Sequence, residues 1–178
     1  SIDDKILELG ANVGVISCIS NSLIKLKTNH VVVEPNPKLL KYLTNNKKIN
    51  SSGYKIENKI ISENSKVIDF YIEPENSHGS SIINREDRTT NKIQIECITL
   101  EALKKKYKIN FNVLIMDIEG GEFNFIIENS LCEFKKLIIE FHPDILSKSQ
   151  YNQCYKILSK NFALAERIET TEMWVNKY

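Results

Sequence analysis

Short apolar runs alternate with amphipathic stretches along the first third of the chain. Residues 5–9 predict a strand, and residues 30–33, continuously apolar after their histidine, predict a parallel strand covered on both faces. Residues 15–27 predict a helix, and the apolar positions at helical spacing in it are Ile16, Ile19, Leu23 and Ile24. A second helix is expected to begin at residues 36–37, because proline is favoured in a first helical turn. With a third strand over 54–61, the alternation predicts half of a doubly wound α/β sheet.

The middle of the chain has a different pattern. Residues 66–72 and 92–98 are predicted strands, and the polar connection between them covers residues 73–91. This connection contains the small and polar run 77–81 and the charged run 85–88. Connections of this length without regular structure are usually functional or mobile. We therefore expect residues 73–91 to help build a binding site.

The second half repeats the alternation of helices and strands. The predicted elements are a helix over 99–107, a strand over 111–116, a helix over 122–128, a strand over 136–141, a helix over 149–160 and two final strands over 163–168 and 173–176. A hairpin-length turn joins the last two strands. No internal repeat or low-complexity segment interrupts the pattern, so the 178 residues are expected to form a single domain over 1–178.

Composition and charge disfavour several classes of protein. Lys and Arg (24) nearly cancel Asp and Glu (23), so the net charge of +1 indicates no global electrostatic attraction to nucleic acid. The apolar runs are too short to cross a bilayer, and the first residues lack a signal-peptide pattern, so no membrane partner is expected. The four cysteines are scattered without C-x-x-C or metal-ligand spacing, which favours core packing over disulfides or a metal site. We expect a cytoplasmic protein that holds no metal.

A glycine-containing turn follows the first predicted strand. Gly10 and Gly14 flank Ala11 and Asn12, and glycine lets a ligand approach the backbone closely. A dinucleotide fingerprint would need glycine at positions 12 and 15 as well, and neither is present, which disfavours a nicotinamide oxidoreductase. Glu8 lies inside the preceding strand, where a carboxylate is costly unless it is paired. Its partner is expected to be a cationic ligand group or the N–H groups of the turn; the alternative is an edge strand with Glu8 facing solvent.

Acidic residues also follow later strands. Glu34 ends the second strand, where an acid can accept two hydrogen bonds from a ribose diol. Asp117, Glu119 and Glu122 surround two glycines after the strand over 111–116. Because close like charges raise one another's pKa, these acids are candidates for a proton acceptor or a cation site. For Glu122, compensation of its helix dipole is an equally good account.

The histidines differ in what their positions suggest. His142 ends the strand over 136–141 and is a candidate general base near neutral pH. A structural role for His142 is at least as well supported by the sequence. His30 opens a strand and His78 lies in the polar connection, so both are weaker candidates.

Several of these motifs occur together in one family. They are Glu8-x-Gly10-x-Asn12-x-Gly14, Glu34-Pro35-Asn36-Pro37, Leu100-Glu101-Ala102-Leu103, Asp117-Ile118-Glu119-Gly120-Gly121-Glu122 and Ile139-Glu140-Phe141-His142. In this order they resemble the FkbM-type methyltransferases, a branch of the class I S-adenosylmethionine-dependent enzymes. The likeness covers nearly the whole chain, and the D-x-E-G-x-E element is its most specific part. Two positions depart from the family: Ile115 replaces its usual lysine, and Ile60 replaces an alanine in the third-strand segment.

The resemblance implies both a fold and a cofactor. The fold would be a Rossmann-like three-layer α/β sandwich whose mostly parallel seven-stranded sheet has the order 3-2-1-4-5-7-6, an antiparallel last strand and extra hairpin strands between strands 3 and 4. The cofactor would be S-adenosyl-L-methionine. The residues implied to bind it are Glu8, Gly10, Ala11, Asn12, Gly14, Glu34, Pro35, Asn58, Ile60 and Asp117. Within this set, Glu34 would hold the ribose hydroxyls and residues 58–60 would flank adenine.

The implied reaction is methyl transfer to a hydroxyl of a sugar or natural-product-like small molecule. The candidate catalytic residues are Asp117, His142 and Glu119, and removal of the hydroxyl proton by such a group contributes about 10²–10⁴ in rate. A divalent cation held by the carboxylates is an alternative way to activate the hydroxyl. Two other functions stay open. They are a non-catalytic cofactor-binding module, which Ile115 favours, and nucleic-acid methylation, which the near-zero net charge disfavours.

Overall fold

The described part of the chain contains two β-sheets and five α-helices. The computed structural model describes residues 1–73, 80–84 and 90–178, so His78 and the charged run 85–88 lie outside the described residues. The strands are β1 (Ile6–Leu9), β2 (His30–Val33), β3 (Lys55–Glu57), β4 (Ile60–Ile61), β5 (Val67–Ile72), β6 (Asn91–Ile98), β7 (Val113–Met116), β8 (Lys136–Glu140), β9 (Phe162–Ile168) and β10 (Thr171–Asn176). The helices are α1 (Val15–Leu23), α2 (Leu40–Ile49), α3 (Leu100–Tyr107), α4 (Glu122–Glu128) and α5 (Lys148–Asn161).

The main sheet has seven strands in the order β3-β2-β1-β7-β8-β10-β9. Strand β1 lies in the interior of the sheet and pairs in parallel with β2 on one side and β7 on the other. Strand β10 runs antiparallel to both of its neighbours. The expected order 3-2-1-4-5-7-6 with a reversed last strand is therefore confirmed, and so is the Rossmann-like class. The central strands are buried along their whole length, as expected for parallel strands with both faces covered.

A second, three-stranded sheet has the order β4-β6-β5 and contains the extra strands expected in the middle of the chain. The predicted single strand over 54–61 is wrong, because it divides into β3 in the main sheet and β4 in the small one. The division occurs at Asn58, whose side-chain amide donates hydrogen bonds to the carbonyl oxygens of Glu34 and Pro35, both at 2.8 Å. These bonds replace strand pairing and let the chain leave the main sheet.

The largest hydrophobic core lies on one face of the main sheet, beneath α3, α4 and α5. It includes Leu103, Phe125 and Leu158 from these helices. All four cysteines are free: Cys154 packs in this core, as predicted, whereas Cys132 is exposed. No helix in residues 1–73, 80–84 and 90–178 combines the length and the apolar character needed to cross a membrane.

Helix α1 is shorter than predicted and turns a different side inward. It ends at Leu23, not at residue 27, and its apolar residues Ile16, Ile19 and Leu23 are 53%, 55% and 69% exposed. Its buried residues are Ser17 and Asn21. The apolar residues found at helical spacing are therefore exposed, apart from Ile24, which lies just past the helix and is buried. Buried polar partners explain the orientation: the Asn21 amide donates to the carbonyl of Lys27 and its side-chain oxygen accepts from the N–H of Gly53.

Candidate active site

The turn after β1 packs directly against the turn after β7. Gly10 has φ +80°, and a Cβ at this position would overlap the carbonyl oxygen of Asp117. The N–H of Asp117 in turn donates to the carbonyl of Leu9 at 3.0 Å. Glycine is therefore required here by the approach of the neighbouring strand's backbone. The contact brings Asp117 beside the Gly10–Asn12 turn.

Glu34 directly follows β2, and backbone groups hold its carboxylate in place. Its Oε2 accepts a hydrogen bond from the N–H of Asn12 at 2.7 Å, and its Oε1 accepts one from the N–H of Asn36 at 2.7 Å. The side chain is buried, and burial raises the pKa of Glu34 to about 7 although the two backbone N–H groups act against the shift. Each oxygen has a second lone pair, so the carboxylate can accept further hydrogen bonds from a ligand.

A cavity of about 410 Å³ adjoins Glu34, within the size range of small-molecule sites. It lies between the turn after β1, the end of β2, the small sheet and α4. Its apolar lining residues are Leu9, Val33, Pro35, Leu39, Ile60, Ile61, Ile68, Phe70, Ile82, Ile118 and Phe125. Its polar lining residues are Asn12, Glu34, Lys59, Ser62, Ser80, Asp117, Glu119, Asn124 and Glu128. The cavity thus combines apolar and polar side chains in its lining.

A second cavity, of about 290 Å³, lies on the other side of the β1 turn. Its lining residues are Glu8, Leu9, Gly10, Ala11, Asn12, Val13, Val15, Ile16, Ile115 and Asp117. The two cavities share Leu9, Gly10, Asn12 and Asp117. One elongated ligand can therefore extend across the turn, with its middle beside Asp117.

Two of the residues implied to bind a cofactor line neither cavity. Gly14 packs against α2, where a Cβ would come within 2.5 Å of the Leu43 side chain. Asn58 holds the backbone after Glu34 through its amide group. Both residues therefore support the backbone around the site without lining either cavity.

Glu8 is paired inside the protein, with partners that differ from those expected. The Ser17 hydroxyl donates to its Oε1 at 2.7 Å, and His30 Nε2 lies 2.9 Å from its Oε2. Strand β1 is central, so the edge-strand alternative is wrong. Sequence reasoning did not predict either partner of Glu8. Two features of the sequence could have indicated them: a serine within the predicted first helix, and a histidine at the start of an apolar strand.

The acidic turn after β7 meets His142 after β8. His142 Nδ1 lies 2.9 Å from Oε1 of Glu122, which is fully buried and also accepts the N–H of Gly120 at 3.1 Å. His142 Nε2 lies 3.6 Å from Oδ1 of Asp117 and 3.7 Å from Oε2 of Glu119. The three candidate catalytic residues therefore lie close together. Glu122, the first residue of α4, pairs with His142.

The described part of the polar connection, residues 80–84, lies against this turn. The Ser81 hydroxyl donates to the carbonyl of Glu119 at 2.6 Å. Ser80 and Ile82 line the larger cavity. The expectation that the connection helps to build a binding site thus agrees with the position of its described residues.

The sequence matches the family model of the methyltransferase FkbM domain over residues 8–161. The chain belongs to the FkbM methyltransferase family. Two solved structures share the fold: the ribosomal protein L11 methylase from Lactobacillus delbrueckii subsp. bulgaricus (9% identical, TM-score 0.53, covering 97% of this chain and 69% of that one) and a proposed RNA methyltransferase from Pyrococcus horikoshii (12% identical, TM-score 0.50, covering 98% and 74%). At these identities the likeness shows the fold alone. A comparison with curated protein sequences found no match.

Electrostatics at the acidic turn assign different charge states to the candidate bases of this methyltransferase. Burial alone would lower the pKa of His142, but the hydrogen bond with Glu122 and the charges of Glu122, Glu119 and Asp117 outweigh it and raise this pKa to about 9. Burial, with a contribution from the charge of Glu140, raises the pKa of Asp117 to about 6. At neutral pH His142 is then a cation, which disfavours its expected role as a base. Asp117 is mostly ionised and able to accept a proton.

Within the described ranges, three of these residues could also hold a metal ion. Asp117, Glu119 and His142 each offer one ligand atom, and these atoms lie within 4.8 Å of one another. Carboxylate oxygens and an imidazole nitrogen suit divalent cations such as Mn²⁺ or Zn²⁺. In this family member, activation of an acceptor by a carboxylate base and activation by a cation would therefore use the same side chains.

Proposed function

We propose that this chain, as a single domain over residues 1–178, is an S-adenosylmethionine-dependent methyltransferase that methylates a hydroxyl of a sugar or small natural-product-like acceptor. The observation that carries the proposal is the buried Glu34 carboxylate, which two backbone N–H groups hold at the edge of a cavity of about 410 Å³. A fixed carboxylate at the end of the second strand suits the two hydroxyls of a ribose.

The two cavities fit the parts of the cofactor. In the larger one Glu34 would hold the ribose, with Pro35 and Ile60 contributing to the walls around adenine. In the smaller one the methionine part would lie over the turn formed by Gly10, Ala11 and Asn12. Glu8 lines this cavity too, but its oxygens already have partners, so we assign it to support of the turn.

Residues of the acidic turn would act on the acceptor. When bound, S-adenosylmethionine supplies an electrophilic methyl group. Asp117 would accept the proton of the acceptor hydroxyl, since it lies where the two cavities meet and is mostly ionised at neutral pH. His142, held by Glu122, would offset the negative charge around Asp117, and Glu119 is the alternative base. Positioning of the two reactants would supply much of the remaining rate, up to about 7–11 kcal/mol.

The charge of this edge supports a neutral acceptor. Asp117, Glu119 and Glu140 carry more negative charge than His142 offsets, and a polyanion such as nucleic acid would be repelled. A hydroxyl-bearing sugar or glycan fragment meets no such barrier. The likeness to RNA and protein methylases rests on the fold and leaves this argument unchanged.

Isothermal titration calorimetry with S-adenosylmethionine, S-adenosylhomocysteine and NAD tests the cofactor assignment. We expect both adenosyl sulfur compounds to bind and NAD not to bind. Glu34→Gln should weaken the binding of S-adenosylhomocysteine about 10–100-fold, because hydrogen bonds to a charged group contribute roughly 1.5–3 kcal/mol. Absence of adenosyl binding by the folded wild-type protein would overturn the proposal.

Release of S-adenosylhomocysteine in the presence of sugars, glycosides and RNA oligonucleotides tests the reaction. Product should form with a hydroxyl acceptor, and Asp117→Ala should abolish most of it, while Glu166→Gln, an exposed control on β9, should not. Cofactor binding without product over the whole panel would favour a non-catalytic module. Loss of turnover with a chelator, restored by a divalent cation, would favour activation by a metal at Asp117, Glu119 and His142.

A further inference from the structure

In the cavity proposed for adenine, residues 58–60, the segment that the resemblance assigns to the base, supply no side chain that could accept a hydrogen bond from it. Asn58 uses its side-chain amide on the carbonyls of Glu34 and Pro35 and does not line the cavity. Ile60 lines the cavity but is apolar. A base whose exocyclic amine lies in a cavity without an acceptor would lose hydrogen bonds to water. An acceptor side chain would therefore have to come from another element.

Helix α4 carries polar groups along the same cavity. Glu128, at the last position of the helix, lines it, and the carboxylate is held on one oxygen only: Oε2 accepts from the Ser62 hydroxyl and from the N–H of Glu63, both at 3.2 Å. In the described part of the chain no hydrogen bond to Oε1 is formed. Ser62 and Glu63, which follow β4, thus orient the carboxylate of Glu128, and its Oε1 can accept a hydrogen bond from a ligand.

Other polar residues of the lining are less suited to accept from an amine. Lys59 is a donor and is paired with Glu96 at 2.6 Å. Ser80 receives a hydrogen bond from the Asn36 amide at 3.4 Å. Asn124 is exposed, on the turn of α4 before Glu128. Asp117 and Glu119 belong to the acidic turn after β7, which we assign to the acceptor.

The cavity that both carboxylates line also has apolar side chains suited to a flat base. Ile60 and Ile61 of β4 and Phe125 of α4 line the cavity that Glu34 and Glu128 share. A nucleoside whose ribose is held at Glu34 would place its base among these side chains. We infer that Glu128 is a specificity-determining residue that accepts a hydrogen bond from the exocyclic amine of adenine, so that the site prefers adenosine over inosine ligands. This inference rests on the proposed function.

The test compares S-adenosylhomocysteine with S-inosylhomocysteine, in which a carbonyl oxygen replaces the amine. Calorimetry on the wild-type chain should give about 10–100-fold tighter binding of the adenosyl compound, because a carboxylate facing a carbonyl oxygen is left unpaired and repelled. Glu128→Ala should reduce this preference to about twofold or less. Asn124→Ala, a change on the same helix and in the same cavity, should keep it.

The outcomes separate this inference from the proposed function. If the wild-type protein binds neither compound, both are overturned. If it binds S-adenosylhomocysteine but shows no preference, or if Glu128→Ala keeps the preference, the role of Glu128 is overturned and the cofactor assignment stands. Loss of the preference in Asn124→Ala alone would transfer the role to that residue. Far-ultraviolet circular dichroism and thermal unfolding verify that each variant is folded, and Glu128→Gln supplies a second variant that keeps the side-chain volume.

Discussion

Glu8 and Glu34 are two buried acids on neighbouring strands, and they differ in what surrounds them. Their exposed fractions are almost the same, 2% and 5%. Side chains from two other elements, Ser17 and His30, hold the carboxylate of Glu8. Backbone N–H groups hold the carboxylate of Glu34, and it faces the larger cavity. Burial alone therefore does not distinguish a structural acid from a binding one.

The kind of partner makes that distinction. A carboxylate paired by side chains of the core has its charge compensated within the fold, and its removal leaves those partners unsatisfied. Glu34 accepts hydrogen bonds but has no ion pair with a cation among residues 1–73, 80–84 and 90–178, and burial raises its pKa to about 7. A ligand that donates hydrogen bonds would complete its environment. The comparison thus predicts that changes at Glu8 act on stability and changes at Glu34 act on binding.

The largest expected effect is the loss of stability in Glu8→Ala. The substitution leaves His30 and the Ser17 hydroxyl buried without their acceptor, which should lower the free energy of unfolding by about 3 kcal/mol. Urea denaturation followed by circular dichroism measures it. Glu34→Gln is the matched comparison. Its amide oxygen can accept from only one of the two backbone N–H groups that Glu34 holds, which costs stability, whereas removal of a buried charge favours folding. Because these two effects oppose each other, the net change in the free energy of unfolding should be about 1 kcal/mol or less. Equal destabilisation by the two variants would break the comparison.

The next effect is the pH dependence of ligand binding through Glu34. Its pKa of about 7 means that the free protein binds a proton there below neutral pH, and a protonated carboxyl accepts ribose hydroxyls less well. Affinity for S-adenosylhomocysteine should therefore fall about tenfold from pH 8 to pH 6. Calorimetry across this range measures the change, and Glu34→Gln should show a flatter profile. A pH-independent affinity in the wild-type protein would contradict the role of Glu34.

The same shift has the opposite sign for the stability of the unliganded protein. Between the ordinary value of 4.5 and about 7, the unfolded chain loses the Glu34 proton while the folded chain keeps it. The contribution of Glu34 to stability therefore decreases as pH rises through this window. Denaturation at pH 5 and pH 7 in the wild-type protein and in Glu34→Gln isolates this contribution, because the variant lacks the group.

Sequence reasoning predicted the strands well because a strand covered on both faces leaves a continuous apolar run, as in β2 and β7. It did not predict the orientation of α1. The apolar residues at helical spacing form one face of the helix, but that face is exposed and does not pack against the sheet. The inward side is fixed by Asn21, whose partners are Gly53 and the carbonyl of Lys27. Such partners are set by the fold and cannot be inferred from the helix alone.

The candidate site shows the same limit. Glu34 and Asp117 were predicted because each follows a strand, and strand ends meet at one edge of the sheet. The pairing of Glu122 with His142 could not be predicted, since it joins elements on two different strand–helix units. Glu128 gave no signal at all, because an acid at the end of a helix is ordinary and only the cavity relates it to Glu34.

The smallest expected effect is on the stability of Ser17→Ala, and it tests whether Ser17 stabilises the fold and has no part in ligand binding. Its hydroxyl donates to Glu8 from the inward side of α1, and Ser17→Ala removes one of two groups that hold this carboxylate. His30 still contacts the other oxygen, so the free energy of unfolding should fall by only about 1 kcal/mol. Affinity for S-adenosylhomocysteine should be unchanged, although Glu8 lines the smaller cavity. Ser20→Ala, on the same helix, is the control for helix propensity. Suppose that Ser17→Ala reduced the free energy of ligand binding more than the free energy of unfolding. Glu8 would then be a binding residue, and the distinction between the two acids would be wrong.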